Sequence, residues 1–463
     1  MSANPFPGLR PFEGDDLDHP FFGREAQIDD LLGRLRRSRF LAIIGTSGCG
    51  KSSLVRAGLL PALHGGYMAG AGSRWRIATL RPGLEPIANL ARALSASESL
   101  GSDESPEPEL RIMRAALMQA VLGRGARGLI EAVQEAALDD NENVLVLVDQ
   151  FEELFRFARR SSSATDQPSR EDASNEAAAF VKLLLEASAS AEAPIYVALT
   201  MRSDFIGDCA RFRDLPERIN EGLVLVPRMT RDQLRRAIEA PVRVAQAEIT
   251  PSLVARLLND VGDDPDQLPV LQHALMRTWD AWAAQGMPQT PIDVRHYEAI
   301  GEMKEALSRH ADEIYGKLSE EVRATVERLF KCLTDRGSDN RGTRSPTLFI
   351  DACRIVDASA DALRNAVEPF SAPTCSFLMP PLGEPLADDT VLDISHESLM
   401  RIWTRLDAWV REEAESARIY KRLAEDAARG AALWRDPDLA VGLAWLNANR
   451  QKINEAWAAR HAP

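Results

Sequence analysis

"FLAIIGTSGCGKSSLVRAGLL", residues 40–60, is the stretch on which the reading of the whole chain turns. Phe40 to Ile44 is an apolar run of strand length. Gly45, Thr46, Ser47, Gly48, Cys49, Gly50, Lys51 and Ser52 then fit the GxxxxGK[ST] pattern with a helical pattern after it, and these residues together with Ser53 are the expected nucleotide-binding set. The glycines let backbone N–H groups wrap phosphate oxygens, Lys51 supplies a point charge to the outer phosphates, and the Ser52 hydroxyl reaches Mg²⁺. A chance glycine-rich turn is the bland alternative. The strand before and the helix after count against it.

Working outward, 463 residues exceed what one hydrophobic core serves, so two to four domains are expected. A formal charge of −14 argues against a protein that grips a polyanion, so nucleic acid is not an expected partner. Apolar runs such as Val144 to Val148 fall far short of the roughly 20 residues of a membrane span. The start, "MSANPFPGLRPFEGDD", does not read as a secretory signal, and a cytoplasmic location is expected. Cys49, Cys209, Cys332, Cys353 and Cys375 are scattered, without a close pair for zinc or redox chemistry. Cys49 reads as a small loop filler.

Strand-like runs at Phe40–Ile44, Trp75–Leu80, Val144–Val148, Ile195–Thr200 and Leu223–Val226 alternate with helical patterns, which implies a parallel sheet covered by helices. Two polar stretches, Ser95–Glu109 and Arg159–Glu176, read as surface insertions. After Pro227 the period becomes helical. Thr230 and Gln233 stand at capping-box spacing, Thr250 precedes Pro251 as an N-cap, and Gly262 is a stop signal. Past Ser319, the residues Val322, Val326, Leu329, Phe330 and Leu333 form an apolar stripe. Helix, loop, helix and paired short strands before "DDTVLDISHESLMRIW" suggest a small winged-helix unit, and Leu399, Ile402, Leu406 and Trp409 continue a helix from it. Trp434, Trp445 and Trp457 anchor a helical tail.

"VLVLVDQFEELF" is a buried strand ending in acid. Asp149 there would position the metal's water shell, since Mg²⁺ keeps most of its waters. Glu152 or Glu153 would orient attacking water, Glu152 being the first choice. Arg202 ends the strand "IYVALTMR" and either senses a γ-phosphate or makes an ordinary ion pair. Ser395 looks like an N-cap, which sets His396 in the first helical turn, where positive charge is unfavourable unless an anion sits there. A neutral histidine packed locally is the plain alternative.

Seven blocks, "NPFPGLRPFEGDDLDHPFFGRE", "GTSGCGKSSLVRAGLLPAL", "LRPG", "VLVLVDQFEELF", "LTMRSDF", "DPDQLPVLQHAL" and "ISHESLMRIW", resemble in order those of the STAND class of P-loop NTPases, specifically the bacterial novel STAND type. The resemblance spans Asn4 to about Arg450. It implies an α/β P-loop NTPase core with sheet order 5-1-4-3-2, followed by a helical lid, a winged-helix domain and C-terminal helices. The implied division is an N-terminal segment at 1–22 packed on the core, the NTPase domain at 23–229, the lid at 230–300, the winged helix at 301–400 and a helical region at 401–463. By the resemblance, ATP or ADP binds with Mg²⁺ held by Ser52 and Asp149, Arg24 lies near the base, Pro269 packs near adenine, Arg202 is the sensor arginine, and His396 touches the β-phosphate. Gln150 departs from the second acid of many relatives, which leaves the water-positioning residue open between Glu152 and Glu153. The implied function is a slow, regulatory ATPase switch, monomeric with ADP and self-assembling with ATP into a signalling or antiviral defence scaffold with a protein sensor or effector as partner. The rival readings are an origin-loader type AAA+ ATPase that binds DNA, and a nucleotide-stabilised module without turnover.

Overall fold

The computed structural model describes residues 3–14, 16, 18–96, 99–101, 108–139, 141–157, 170–262, 267–286, 290–336, 342–430, 433–450 and 453–461. The chain forms two compact units, Pro11–Val244, and Ala245–Pro463 together with Met1–Arg10.

In the first unit the five apolar runs become β1 (Phe40–Gly45), β2 (Arg74–Leu80), β3 (Glu142–Val148), β4 (Ile195–Arg202) and β5 (Leu223–Leu225). Their order in the sheet is β2-β3-β4-β1-β5, and every neighbouring pair is parallel. This is the expected 5-1-4-3-2 sheet read from its other edge. Gly45 lies opposite Arg202 and Leu80 opposite Val148, so four strands finish side by side. Ligands of open parallel sheets bind beyond such carboxyl ends.

Period-2 alternation makes both faces apolar. One face turns Ala42, Ile44, Val146, Val148, Val197 and Leu199 toward Phe151, Phe155 and Phe180. The other turns Leu41, Ile43, Leu145 and Leu147 toward Leu31, Leu35, Leu54 and Leu59. Helix Glu25–Ser38 supplies Leu31 and Leu35, one turn apart on a single stripe. Fully burying each such leucine stabilises the unit by about 1.5–3 kcal/mol. Of the polar stretches, residues 97–98, 102–107 and 159–169 lie outside the described residues. Beyond them, the stretch expected as insertion up to Glu176 is already helical from Arg170, in a helix Arg170–Ala189 that buries Phe180, Val181 and Leu184. Its apolar stripe begins only with Ala177, which is why the polar lead-in read as loop.

The capping residues act as their spacing predicts. Thr230 and Gln233 exchange bonds, the Thr230 amide donating to Gln233 Oε1 (2.8 Å) and the Gln233 amide to Thr230 Oγ1 (3.3 Å). The helix they open, Arg231–Val244, belongs to the first unit. Thr250 caps Pro251–Asp260 by accepting from the Leu253 amide. Ser319 likewise caps Glu320–Cys332, whose Val326, Leu329 and Phe330 are buried.

The second unit holds a β6–β7 hairpin (Thr334–Arg336 and Gly342–Arg344) and an antiparallel sheet ordered β8-β10-β9, formed by Thr347–Leu348, Val391–Ile394 and Leu378–Met379. Helices Glu320–Cys332, Phe349–Val356 and Ala360–Ser371 pack with that sheet around Phe330, Phe370, Phe377 and Trp403. Phe330 meets Trp403 edge to face at 5.2 Å between ring centroids. The expected continuous helix breaks at Trp403 into Ser398–Ile402 and Thr404–Ala428; the Trp403 indole donates to Asp312, and burying that large ring turns the chain. Trp445 and Trp457 are buried in the tail.

The segment 1–22 is divided between the units. Asn4 Nδ2 donates to the Met276 carbonyl (3.0 Å) and to Asp280 (2.9 Å), and Leu9 enters the second unit's core. From Pro11 the chain belongs to the first unit. Among the described residues no helix is long and apolar enough to cross a membrane. The five cysteines are free thiols.

Within the second unit His273 Nε2 faces His310 Nδ1 at 3.1 Å. Burial, with His310 and Arg277 beside it, drives His273 well below its ordinary pKa, and burial with Arg277 and Lys317 takes His310 down to about 3. Both rings stay neutral in the folded unit while the unfolded chain takes up protons below its ordinary value near 6.5. Stability should therefore fall as pH drops from that value toward 3, by about 1.4 kcal/mol per pH unit for each deferred proton. Urea unfolding across that range checks it, with His310→Asn giving a shallower slope and a flat wild-type profile contradicting it.

Candidate functional site at the carboxyl edge of the sheet

The site starts with the turn from β1 into the helix at Lys51. Gly48 and Gly50 hold φ of +70° and +90°, a region open to glycine at little cost, and the loop curls back over its own amides. Lys51 Nζ lies across the curl, donating to the carbonyls of Gly45 (3.0 Å) and Thr46 (2.7 Å). Beyond Ser53 the helix widens into a π-helical turn, Leu54–Leu59, before closing as Leu60–His64. Ser53 Oγ accepts from the Phe12 amide (3.2 Å) and so faces the N-terminal strap.

Asp149 is 1% exposed and meets side chains from three directions. Its Oδ1 accepts from Ser52 Oγ (2.9 Å) and Thr200 Oγ1 (2.5 Å), while Oδ2 accepts from Arg56 Nη2 (3.1 Å). Thr200 Oγ1 also accepts from the Gln150 amide (3.0 Å), and the Thr200 carbonyl from the Phe151 amide (2.9 Å), locking the end of β3 to β4. Burial pushes the Asp149 carboxyl up, but Arg56 and Arg81, with the bonds from Thr200 and Ser52, outweigh it and hold the group below the usual aspartate range. It is an anion at neutral pH. A serine hydroxyl beside one ionised carboxylate is a hard oxygen set that fits a water-keeping Mg²⁺.

The two glutamates part company. Glu152 Oε2 accepts from the Arg202 amide (3.3 Å), and burial raises its carboxyl above the ordinary value, an effect that Lys51 partly offsets. Glu153 Oε2 instead accepts from the Gly83 amide (3.1 Å) of "LRPG", so it anchors the turn after β2. The Arg202 guanidinium pairs with Asp204 at 2.6 Å, the ion pair left open as one reading of this residue. Arg24 is 3% exposed and donates to the Pro227 carbonyl (2.8 Å) and the Cys49 carbonyl (3.1 Å). Its guanidinium thus ties the phosphate loop to the chain leaving β5.

In the second unit Pro269 is half-buried in the first turn of helix Gln267–Ala283. The expectation at Ser395 is corrected: the helix begins at Ser398, and its N-terminus is met from outside by His396, whose Nδ1 accepts from the Ser398 amide (3.1 Å) and lies 2.8 Å from Ser398 Oγ. An imidazole two residues upstream captured the amide that a serine cap would have taken. Nδ1 is the acceptor, so the neutral ring carries its proton on Nε2.

Arg56, Thr200 and Glu13 were missed by the sequence reading. Arg56 Nη1 donates to Glu13 Oε1 (2.7 Å) while Nη2 holds Asp149. The available signals were an arginine inside the apolar "SSLVRAGLL" and a threonine inside the buried "IYVALTMR", each a polar residue with no solvent-facing reason.

With this geometry in hand, the family model described as Novel STAND NTPase 1 matches residues 5–438. The chain belongs to that family. No curated protein matches it. Among solved structures this novel STAND NTPase is similar to Cdc6p from Pyrobaculum aerophilum (15% identity, 84% of this chain and 94% of that one, TM-score 0.34). It is also similar to the ORC2 protein of Aeropyrum pernix (12% identity, 87% and 97%, TM-score 0.41) and to Drosophila ORC bound to DNA (12% identity, 83% and 87%, TM-score 0.36).

Arg24→Ala removes two charged hydrogen bonds that brace the loop of this STAND NTPase. At about 1.5–3 kcal/mol for a bond to a charged group, nucleotide affinity should fall by roughly tenfold or more. Calorimetric titration with ADP checks it, and unchanged affinity would show the brace to be dispensable.

Proposed function

We propose that this novel STAND NTPase is an ATP/ADP-dependent switch, closed and monomeric with ADP, opened by ATP, and self-assembling into a signalling or defence scaffold whose slow hydrolysis resets it. The observation that carries the reading is the Ser52–Asp149 contact, which joins the phosphate loop to the acid at the end of β3 through a 2.9 Å hydrogen bond. Lys51 and the loop amides bind the phosphates, and Ser52 and Asp149 hold Mg²⁺, which when bound neutralises charge on the phosphoryl group.

Glu152 is the residue that orients water. In support, it is buried, feels the charge of Lys51 and is fixed by the Arg202 amide, whereas Glu153 is engaged at Gly83. Arg202, on the strand next to Gly45, reports the γ-phosphate by exchanging Asp204 for a phosphate oxygen; Asp204 is 59% exposed, so releasing it is cheap. Arg24 supports the nucleotide through the loop it braces, and Pro269 borders the adenine. His396 reads the β-phosphate, a role suited to a ring whose Nδ1 is engaged by Ser398 and whose Nε2 carries the donor hydrogen. The helix–strand–helix–helix–hairpin unit that presents it is the winged helix of this reading.

Moving such an equilibrium from 1:99 to 99:1 needs about 5.5 kcal/mol of differential binding. No single histidine contact supplies that, so Arg202, His396 and the activating partner share it.

Lys51→Ala should abolish ATP and ADP binding in calorimetry, and retained affinity would refute the site. His396→Ala should shift the ADP-loaded protein toward assembly in sedimentation velocity; a variant that stays as monomeric as wild type would remove His396 from the switch.

A further inference from the structure

The first unit contains an arrangement that a phosphate loop does not itself require. Arg56 lies in the π-helical turn after the loop with one Nη on Asp149 and the other on Glu13, at 3.1 Å and 2.7 Å. Asp149 is buried and the Arg56 side chain is 21% exposed, so this is a largely desolvated cation shared by two carboxylates. Glu13 belongs to a strap that leans on the same helix. The Phe12 amide donates to Ser53, the Phe12 and Phe21 rings sit 5.4 Å apart, and a Cβ on Gly14 would stand 2.8 Å from the Arg56 carbonyl. Only glycine permits that approach.

We propose that Arg56 is a positioning residue that links magnesium retention at Asp149 to docking of the N-terminal strap through Glu13. The inference rests on the reading that Ser52 and Asp149 hold the metal. Asp149 cannot serve a second cation at full strength while it also neutralises Arg56. Glu13 relieves that conflict, because it takes up the Arg56 charge as Asp149 gives it up. A docked strap therefore favours metal at Asp149, and by linkage a metal-loaded nucleotide favours the docked strap.

The test measures the affinity of the whole chain for a fluorescent ADP analogue with Mg²⁺ and with EDTA, and takes the ratio. Arg56→Gln, which frees Asp149, should raise the ratio by about fivefold, and Glu13→Gln, which leaves Arg56 entirely to Asp149, should lower it by about fivefold. Arg56→Lys, which keeps the charge, should stay near wild type. In the double variant Arg56→Gln with Glu13→Gln the Glu13 effect should vanish, because the two residues communicate only through the guanidinium. Hydrogen exchange of the strap amides should slow with Mg²⁺–ADP relative to ADP in EDTA. A wild-type ratio of one overturns the metal reading and this proposal with it. A wild-type ratio above one that Glu13→Gln leaves unchanged, or a Glu13 effect that persists without Arg56, overturns this proposal alone.

Discussion

A single buried carboxylate organises the carboxyl edge of the first unit's sheet. Asp149 ends β3 almost without solvent, and an ion there is costly unless its charge and lone pairs are met. They are met from three directions, by the phosphate-loop helix through Ser52 and Arg56 and by the neighbouring strand through Thr200. Removing any of these partners exposes the same charge to an unfavourable medium. The phosphate-loop helix and the ends of two strands are therefore held to one another through one charge.

Around that acid the sheet supplies direction. Parallel strands finishing in register bring Gly45, Asp149 and Arg202 to one edge although more than a hundred residues separate the first from the last. The apolar faces on either side leave the edge loops as the places where polar groups can gather. All four charged side chains at this edge bond backbone groups: Arg24 and Lys51 meet carbonyls of the phosphate loop, Glu153 the Gly83 amide of the "LRPG" turn, and Glu152 the Arg202 amide. The second unit follows another logic, an aromatic core of Phe330, Phe370 and Trp403 under a small antiparallel sheet. Its interior includes a pair of neutral histidines that burial keeps unprotonated.

Much of this was legible in the sequence where the signal is local. A strand followed by GxxxxGK[ST], an apolar strand ending in Asp149, and caps at Thr230 and Thr250 are short-range statements about hydrogen bonding and periodicity, and each has its structural counterpart. The family, too, was carried by ordered blocks of residues. The misplaced start of the helix at Ser395 came from the same local logic, since Ser395 and the next residue, His396, compete for the Ser398 amide and spacing alone does not say which wins.

The amino-acid sequence by itself determined the parallel sheet, the phosphate loop and the family, because those depend on side-chain periodicity and on backbone freedom at glycine. Only the tertiary structure decided that Glu152 and Glu153 have different partners, that Arg24 braces a loop, and that Arg56 divides its charge between Asp149 and Glu13. Those outcomes depend on which distant groups meet in a low-dielectric interior, where the energy of a charge is set by its neighbours in space and not by its neighbours along the chain.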